Sequence, residues 1–310
     1  MVLPPAGVTL LVLAGSLLVD RVIGDPHSRF HPVALLGTFI GLWGRPERWP
    51  RWAQRAIGLL AALLTATLFA LPFWLFSTYA PFALYLVGGP FLLKSCFAWR
   101  SLEEHTASVV TAVGSDLRSG RREVQRLVSR STAELDGEHI LSAAYESMAE
   151  NLVDSIIAPL LFFLVFGLAG AAVYRAVNTM DAMLGYRDER ERLGFGAARL
   201  DDLLSYIPAR VTGLLLLLIF SVHGRGRAAW QVFVRDRKKR PGFNGGIPMS
   251  LIAGGTGVLF EKPGIYRIGE AEGSLSGRGV LVIRTVREAT LLLVVFAGCT
   301  LFLLSVLSYR

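Results

Sequence analysis

Long apolar stretches alternate with short polar ones along this chain, and the pattern predicts helices rather than strands. Residues 56–79 and 288–309 are clear runs, close to the roughly 20 apolar residues that cross a bilayer core. Residues 81–99 form a third, with Lys94 near its end, where a long side chain snorkels to an interface. Residues 155–177 form a fourth, interrupted by Gly167 and Gly170. Residues 7–23, 208–223 and 247–260 are shorter. None alternates as barrel strands do, and only helices and closed barrels span lipid. The predicted fold class is therefore all-α: a polytopic membrane protein forming one membrane-embedded domain over 1–310, with a re-entrant or broken helix.

Between the runs lies a polar insertion at about 100–150. Leu102, Thr106, Val109, Val110 and Val113 recur at helical spacing, as do Val124, Leu127 and Val128, so two amphipathic helices joined near 114–120 are expected. Residues 139–154 read as a further helix. There Glu146, Glu150 and Asp154 fall at four-residue steps and share one face, with Asn151 beside them. Like charges at that spacing repel unless a cation or arginines offset them.

Composition supports the membrane reading: 53% of residues are hydrophobic. The net charge is +8, concentrated in a basic loop at about 224–245. Because that loop adjoins apolar runs, it reads as a cytoplasmic positive-inside loop rather than a nucleic-acid site. Cys96 and Cys299 both sit in apolar runs and are expected to be buried structural thiols. Asp25, His27 and His31 surround Gly24-Asp-Pro26 and His31-Pro32, where turn capping is the simpler expectation and a shared ligand the alternative.

The candidate chemistry flanks the run at 155–177. Asn151-x-x-Asp154 precedes it and Asn178-x-x-Asp181 ends it, each offering an amide and a carboxylate on one helical face. Oxygen donors of this kind suit magnesium held together with phosphates. Arg199-Leu-Asp-Asp202 and Arg210 add guanidinium forks that grip phosphate or carboxylate. A straight helix over 155–177 would put these two groups on opposite membrane faces; a bend at 167–170 would return them to one side. No P-loop, dinucleotide fingerprint or nucleophilic triad is present.

In order along the chain, these motifs resemble the adenosylcobinamide-phosphate synthase family of cobalamin biosynthesis (CobD/CbiB). The resemblance rests on Gly24-Asp-Pro26 and His31-Pro32, then Arg130-x-Thr132, then Glu146…Glu150-Asn151…Asp154 with Ile157-Ala-Pro-Leu160. It continues through Asn178-Thr-x-Asp181, Gly185-Tyr-Arg187, Arg199-Leu-Asp-Asp202 and Tyr206-Ile-Pro-Ala-Arg210, and ends with Asn244-x-Gly246 and Glu261-Lys-Pro-Gly264. The family's usual Arg-Asp-Thr reads Arg130-Ser131-Thr132 here, and its usual Asn before Tyr206 is Ser205.

The resemblance implies an amide-forming ligase using ATP and magnesium. It would join the carboxylate of adenosylcobyric acid, a corrinoid, to aminopropanol or its phosphate. For that chemistry magnesium is expected on Glu150, Asp154, Asp181 and Asp202, phosphate on Arg199 and Arg210, and oxygens oriented by Asn151 and Asn178. Glu146 is then the candidate base for the amine. Arg130, Tyr186, Arg187, Asp201, Tyr206, Asn244 and Gly246 complete the expected substrate- and phosphate-binding set. The expected setting is the cell membrane, multi-pass, with the site facing the cytoplasm; lipid and other late cobalamin-pathway enzymes are the expected partners. A magnesium-dependent prenyl or lipid transferase and a transporter are the alternatives. The clusters lack paired Asp-x-x-x-Asp motifs and the runs show no two-half repeat, which disfavours both.

Overall fold

A computed structural model describes residues 5–25 and 31–308. The elements run α1 (Ala6–Val22), α2 (Pro32–Trp43), α3 (Gln54–Tyr79), α4 (Phe82–Lys94), α5 (Trp99–Ser115), α6 (Leu117–Val124) and α7 (Gly137–Asn151). A π-helical turn over Leu152–Ile157 follows, then α8 (Ala158–Leu184), α9 (Glu191–Leu204), α10 (Tyr206–Val222), α11 (Gly226–Asp236) and α12 (Gly246–Thr256). A hairpin of β1 (Leu259–Lys262) and β2 (Tyr266–Gly269) precedes α13 (Leu275–Ser308). Four helical stretches are long and apolar enough to cross a membrane, and a fifth if α9 and α10 count as one bent span. The protein is a helical, multi-pass membrane protein.

The chain forms two compact units. The first comprises residues 1–98, 158–205 and 296–310. Its core packs Leu36, Ile40 and Trp43 of α2 and Ala62 and Ala66 of α3 against Ala176, Val177, Met180 and Leu184 of α8 and Leu193 and Ala197 of α9. Small residues on α3 and α8 let these helices approach closely, as membrane helices do.

Within this unit α8 is not straight. Gly167 has φ 67° and ψ −163°, a backbone region essentially reserved for glycine. Beyond it the chain turns back: the Phe162 and Tyr174 rings lie 5.1 Å apart, although twelve residues along a straight helix would separate them by about 18 Å. The expected break is therefore present at Gly167.

The second unit comprises residues 99–157 and 206–295. Asp136 caps α7 by accepting from the His139 N–H at 2.9 Å, and Asp116 caps α6 by accepting from the Ser119 N–H at 2.8 Å, so both helices start where a side chain satisfies free amides. Val109, Val124, Ile140, Ala143 and Ala144 form a small apolar core between α5, α6 and α7. The hairpin pairs Phe260 with Ile268, both buried, and carries Glu261 and Tyr266.

Several expectations change. Lys94 does not snorkel: it is 4% exposed and paired with Asp20 at 3.2 Å and with Asp25. The apolar run at 247–260 ends as helix at Thr256 and continues as strand, because Gly257 adopts φ 67° and stops the helix. The run at 288–309 belongs to a helix beginning at Leu275. Cys96 is buried as expected, but Cys299 is exposed; both are free. His31 caps α2, its Nδ1 accepting from the Val33 N–H, whereas His27 lies outside the described residues. The basic loop contains α11, and its cations are largely paired: Arg225 with Glu272, Arg235 and Lys239 with Asp236, and Arg240 with Glu150.

Candidate functional site

The structure gathers the candidate residues into two polar clusters, one in each unit. In the second unit, α7 turns Glu146 inward, where it is 6% exposed. Ser142, one turn earlier, donates to Glu146 Oε1 at 2.6 Å, and Tyr266 of β2 donates to Oε2 at 2.5 Å. The Glu261 N–H in turn donates to Ser142 Oγ at 2.7 Å. The hairpin thus fixes the carboxylate through two hydroxyls. Burial, with Glu146 and then Glu150 adding, pushes the Tyr266 phenol well above its ordinary value and keeps it a proton donor. Arg130 Nη2 stands 3.6 Å from Glu146 Oε1.

One turn along α7, Glu150 pairs with Arg240. Burial disfavours the Arg240 charge, but Glu150 outweighs it and the guanidinium titrates above its usual value, with Asp154 adding to the same field. Glu146, Glu150 and Asp154 do not share one regular face. Asp154 lies within the π turn, whose i→i+5 bonds break the four-residue register. Asn151 is occupied by its own helix: its Nδ2 donates to Ser147 O at 2.9 Å and its Oδ1 accepts from Ser155 at 2.7 Å. Arg210 lies over the Tyr206 ring at 3.4 Å and donates to Asn244 Oδ1 at 2.8 Å, which links the two motifs across α10 and the start of α12. Gly246 is buried at that start, its carbonyl accepting from Ser250 at 2.6 Å.

In the first unit, Asn178 donates to Asp201 Oδ1 at 3.3 Å and Arg199 stands 3.6 Å from Asp202. Asn178 therefore faces α9 through Asp201, so the echo between the two Asn-x-x-Asp motifs has no common geometry. Gly185 packs on Asp181: a Cβ at 185 would fall 2.1 Å from Asp181 Oδ1. That close approach explains the glycine of Gly185-Tyr-Arg187. Tyr186 lies under the Arg190 guanidinium at 4.2 Å, and Arg187 is exposed. The hydrogen bond from Arg190 holds Asp188 at about 2.

The four residues expected to hold magnesium are split: Glu150 and Asp154 belong to the second unit, Asp181 and Asp202 to the first. Among the described residues, no three His, Cys, Asp or Glu side chains converge as a metal cage. Sequence reasoning missed Arg240 and Tyr266 as members of the carboxylate cluster, 90 and 120 residues from their partners. It also missed the buried Lys94–Asp20–Asp25 group. A lysine in one apolar run, with an aspartate inside another and a second just past it, was its only signal.

Comparison with known proteins gives the same family across nearly the whole length. The family model described as CobD/Cbib protein matches residues 13–293. A probable cobalamin biosynthesis protein CobD of Thermococcus kodakarensis is 45% identical over 80% of this chain and 81% of its own. Another, of Methanothermobacter thermautotrophicus, is 35% identical over 96% of this chain and 98% of its own. The cobalamin biosynthesis protein CobD of Dehalococcoides mccartyi is 35% identical over 96% of both chains. No solved structure matches. The chain belongs to the CobD/Cbib family.

Proposed function

We propose that this chain is a membrane-embedded enzyme of cobalamin biosynthesis, an amide-forming ligase. It joins the carboxylate of adenosylcobyric acid to aminopropanol or its phosphate and consumes ATP. The carrying observation is the polar cluster of the second unit. There two guanidinium groups, Arg130 and Arg240, stand beside Glu146 and Glu150 within a largely buried setting. Fixed guanidinium groups of this kind manage oxyanion charge where water is scarce, and positioned charge dominates reactions at phosphate. The names of the relatives support the pathway.

In the reaction, a carboxylate oxygen attacks the γ-phosphorus of ATP, the new P–O bond forms, and ADP departs with the electron pair of the bond that breaks, which leaves an acyl phosphate. The amine nitrogen then attacks the carbonyl carbon, the C–N bond forms, and phosphate departs with the C–O electron pair while the ammonium proton is lost to a base. Arg130 and Arg240 offset the oxyanion charge. Glu146, held by Ser142 and Tyr266, keeps Arg130 in place.

Magnesium usually binds through one or two carboxylates together with phosphates, so the lack of a three-residue cage among the described residues is compatible with it. Glu150 and Asp154 supply the donors of the right kind, and a bound ion would neutralise phosphate charge. The setting proposed is the cell membrane with the site facing the cytoplasm, where ATP is. Other late cobalamin-pathway enzymes are the natural partners.

The test is turnover by the purified protein in lipid nanodiscs. With ATP, magnesium, adenosylcobyric acid and aminopropanol or its phosphate, the expected result is an ATP-dependent corrinoid amide detected by mass. Complementation of a strain lacking this step should follow when it is fed cobyric acid. A folded, well-expressed protein that gives neither product nor rescue overturns the assignment.

A further inference from the structure

A buried guanidinium without hydrogen bonds calls for a reason. Arg130 lies between α6 and α7, and its side chain is 17% exposed. Its Nε, Nη1 and Nη2 are each buried with no hydrogen-bond partner. The 3.6 Å approach to Glu146 is an ion pair but too long for a hydrogen bond. Glu146 is already engaged, since it accepts from Ser142 and Tyr266 at 2.6 and 2.5 Å. The guanidinium is thus charge-compensated yet leaves all of its donors unused. Burying a charge this way is costly, and the cost is recovered when an acceptor arrives. The acceptor that suits a rigid five-donor fork is an oxyanion taken in bidentate fashion.

We infer that Arg130 is the receptor for an oxyanion of the substrate, a carboxylate or a phosphate, and that Glu146 is a positioning residue that holds the guanidinium in place. The identity of the ligand rests on the ligase reading; the unsatisfied geometry does not. Ser142, Tyr266 and the Glu261 amide form the support that keeps Glu146 from swinging onto the guanidinium and closing the site.

The experiment measures binding apart from turnover, using the full chain in detergent micelles. The probes are inorganic phosphate, ATP, aminopropanol phosphate and cobyric acid, with aminopropanol as the control that lacks an oxyanion. Wild type should bind at least one oxyanion probe, and Arg130→Gln should weaken that binding at least tenfold. Arg130→Lys should also weaken it, because an ammonium keeps the charge but lacks the fork. Aminopropanol binding should be unchanged. Dependence confined to phosphate-bearing probes assigns the site to phosphate; dependence confined to cobyric acid assigns it to the carboxylate. Without ligand, Arg130→Gln should melt at or above the wild-type temperature, since it removes an unsatisfied charge. Oxyanion binding that is absent in wild type, or equal in wild type and both variants, overturns the inference. So does a lowered melting temperature in Arg130→Gln and Arg130→Lys alike with binding intact, which would mark the pair with Glu146 as structural. Arg130-dependent binding without any amide product would sink the ligase reading and leave this site standing.

Discussion

The Tyr266 hydroxyl donates to Glu146 Oε2 at 2.5 Å, joining a strand residue to a helix residue 120 positions earlier. The hairpin is therefore more than a connection between α12 and α13. Within the second unit it sets the orientation of a buried carboxylate.

Replacing that hydroxyl tests the arrangement. Tyr266→Phe keeps the ring but leaves Glu146 one donor short, and should cost about 1–3 kcal/mol of stability. Thermal unfolding of the purified protein measures it; an unchanged melting temperature would mean the hydrogen bond contributes nothing.

The turn at Gly167 makes a second prediction. At φ 67° and ψ −163°, Gly167→Ala should destabilise by about 1–3 kcal/mol. A Cβ added at Gly41 of α2 would meet nothing within 4 Å, so Gly41→Ala should gain about 0.5–1 kcal/mol instead. Opposite shifts in the same melting assay are the expected outcome.

The doubling back of α8 can be trapped chemically. With Cys96 and Cys299 replaced, cysteines at 162 and 174 should be joined by a short bifunctional thiol reagent, since the native rings lie 5.1 Å apart. A straight helix would hold the positions about 18 Å apart and give no link.

Gly185→Ala should mimic loss of Asp181. The added methyl falls 2.1 Å from Asp181 Oδ1, so the carboxylate must move. If Asp181 serves the reaction, turnover should drop by about 100-fold, the scale of an ångström-sized misplacement. Near-normal turnover would remove Asp181 from the machinery.

Asp236 sets a pH dependence. Burial pushes its carboxyl up, but Arg235, the Gly269 amide and Lys239 together hold it at about 2, below the ordinary 3.8. A depressed carboxylate contributes stability that is present above its unfolded value and lost as pH falls through the folded one. Wild type should therefore weaken between about pH 4 and pH 2, and Asp236→Asn should show a shallower slope there, the remainder coming from other depressed carboxylates such as Asp188.

Much of the membrane plan was legible because apolar length and composition act locally. The spans at α3 and α13, the two insertion helices and the interruption at Gly167 all follow from patterns within one stretch of chain. The β hairpin did not, because four-residue strands after a helix-like apolar run carry no distinct period. The site was legible as residue types but not as partners. Asn178 pairs with Asp201, Glu150 with Arg240 and Arg210 with Asn244. Each pairing is long-range, and spacing along a helix says nothing about it. Lys94 misled for the same reason: its position near the end of a run suggests water, whereas Asp20 and Asp25 make burial tolerable.

The turn at Gly167 bears on how the orientation of this chain is counted. Each crossing reverses the side on which the next loop emerges, so orientation depends on whether the number of crossings is odd or even. A hydrophobic run that enters and leaves by the same face adds zero to that number. Counted as one straight crossing, residues 158–184 add one, so the two counts put every loop after Leu184 on opposite sides. The parity of the whole C-terminal half turns on one backbone angle that only glycine readily adopts.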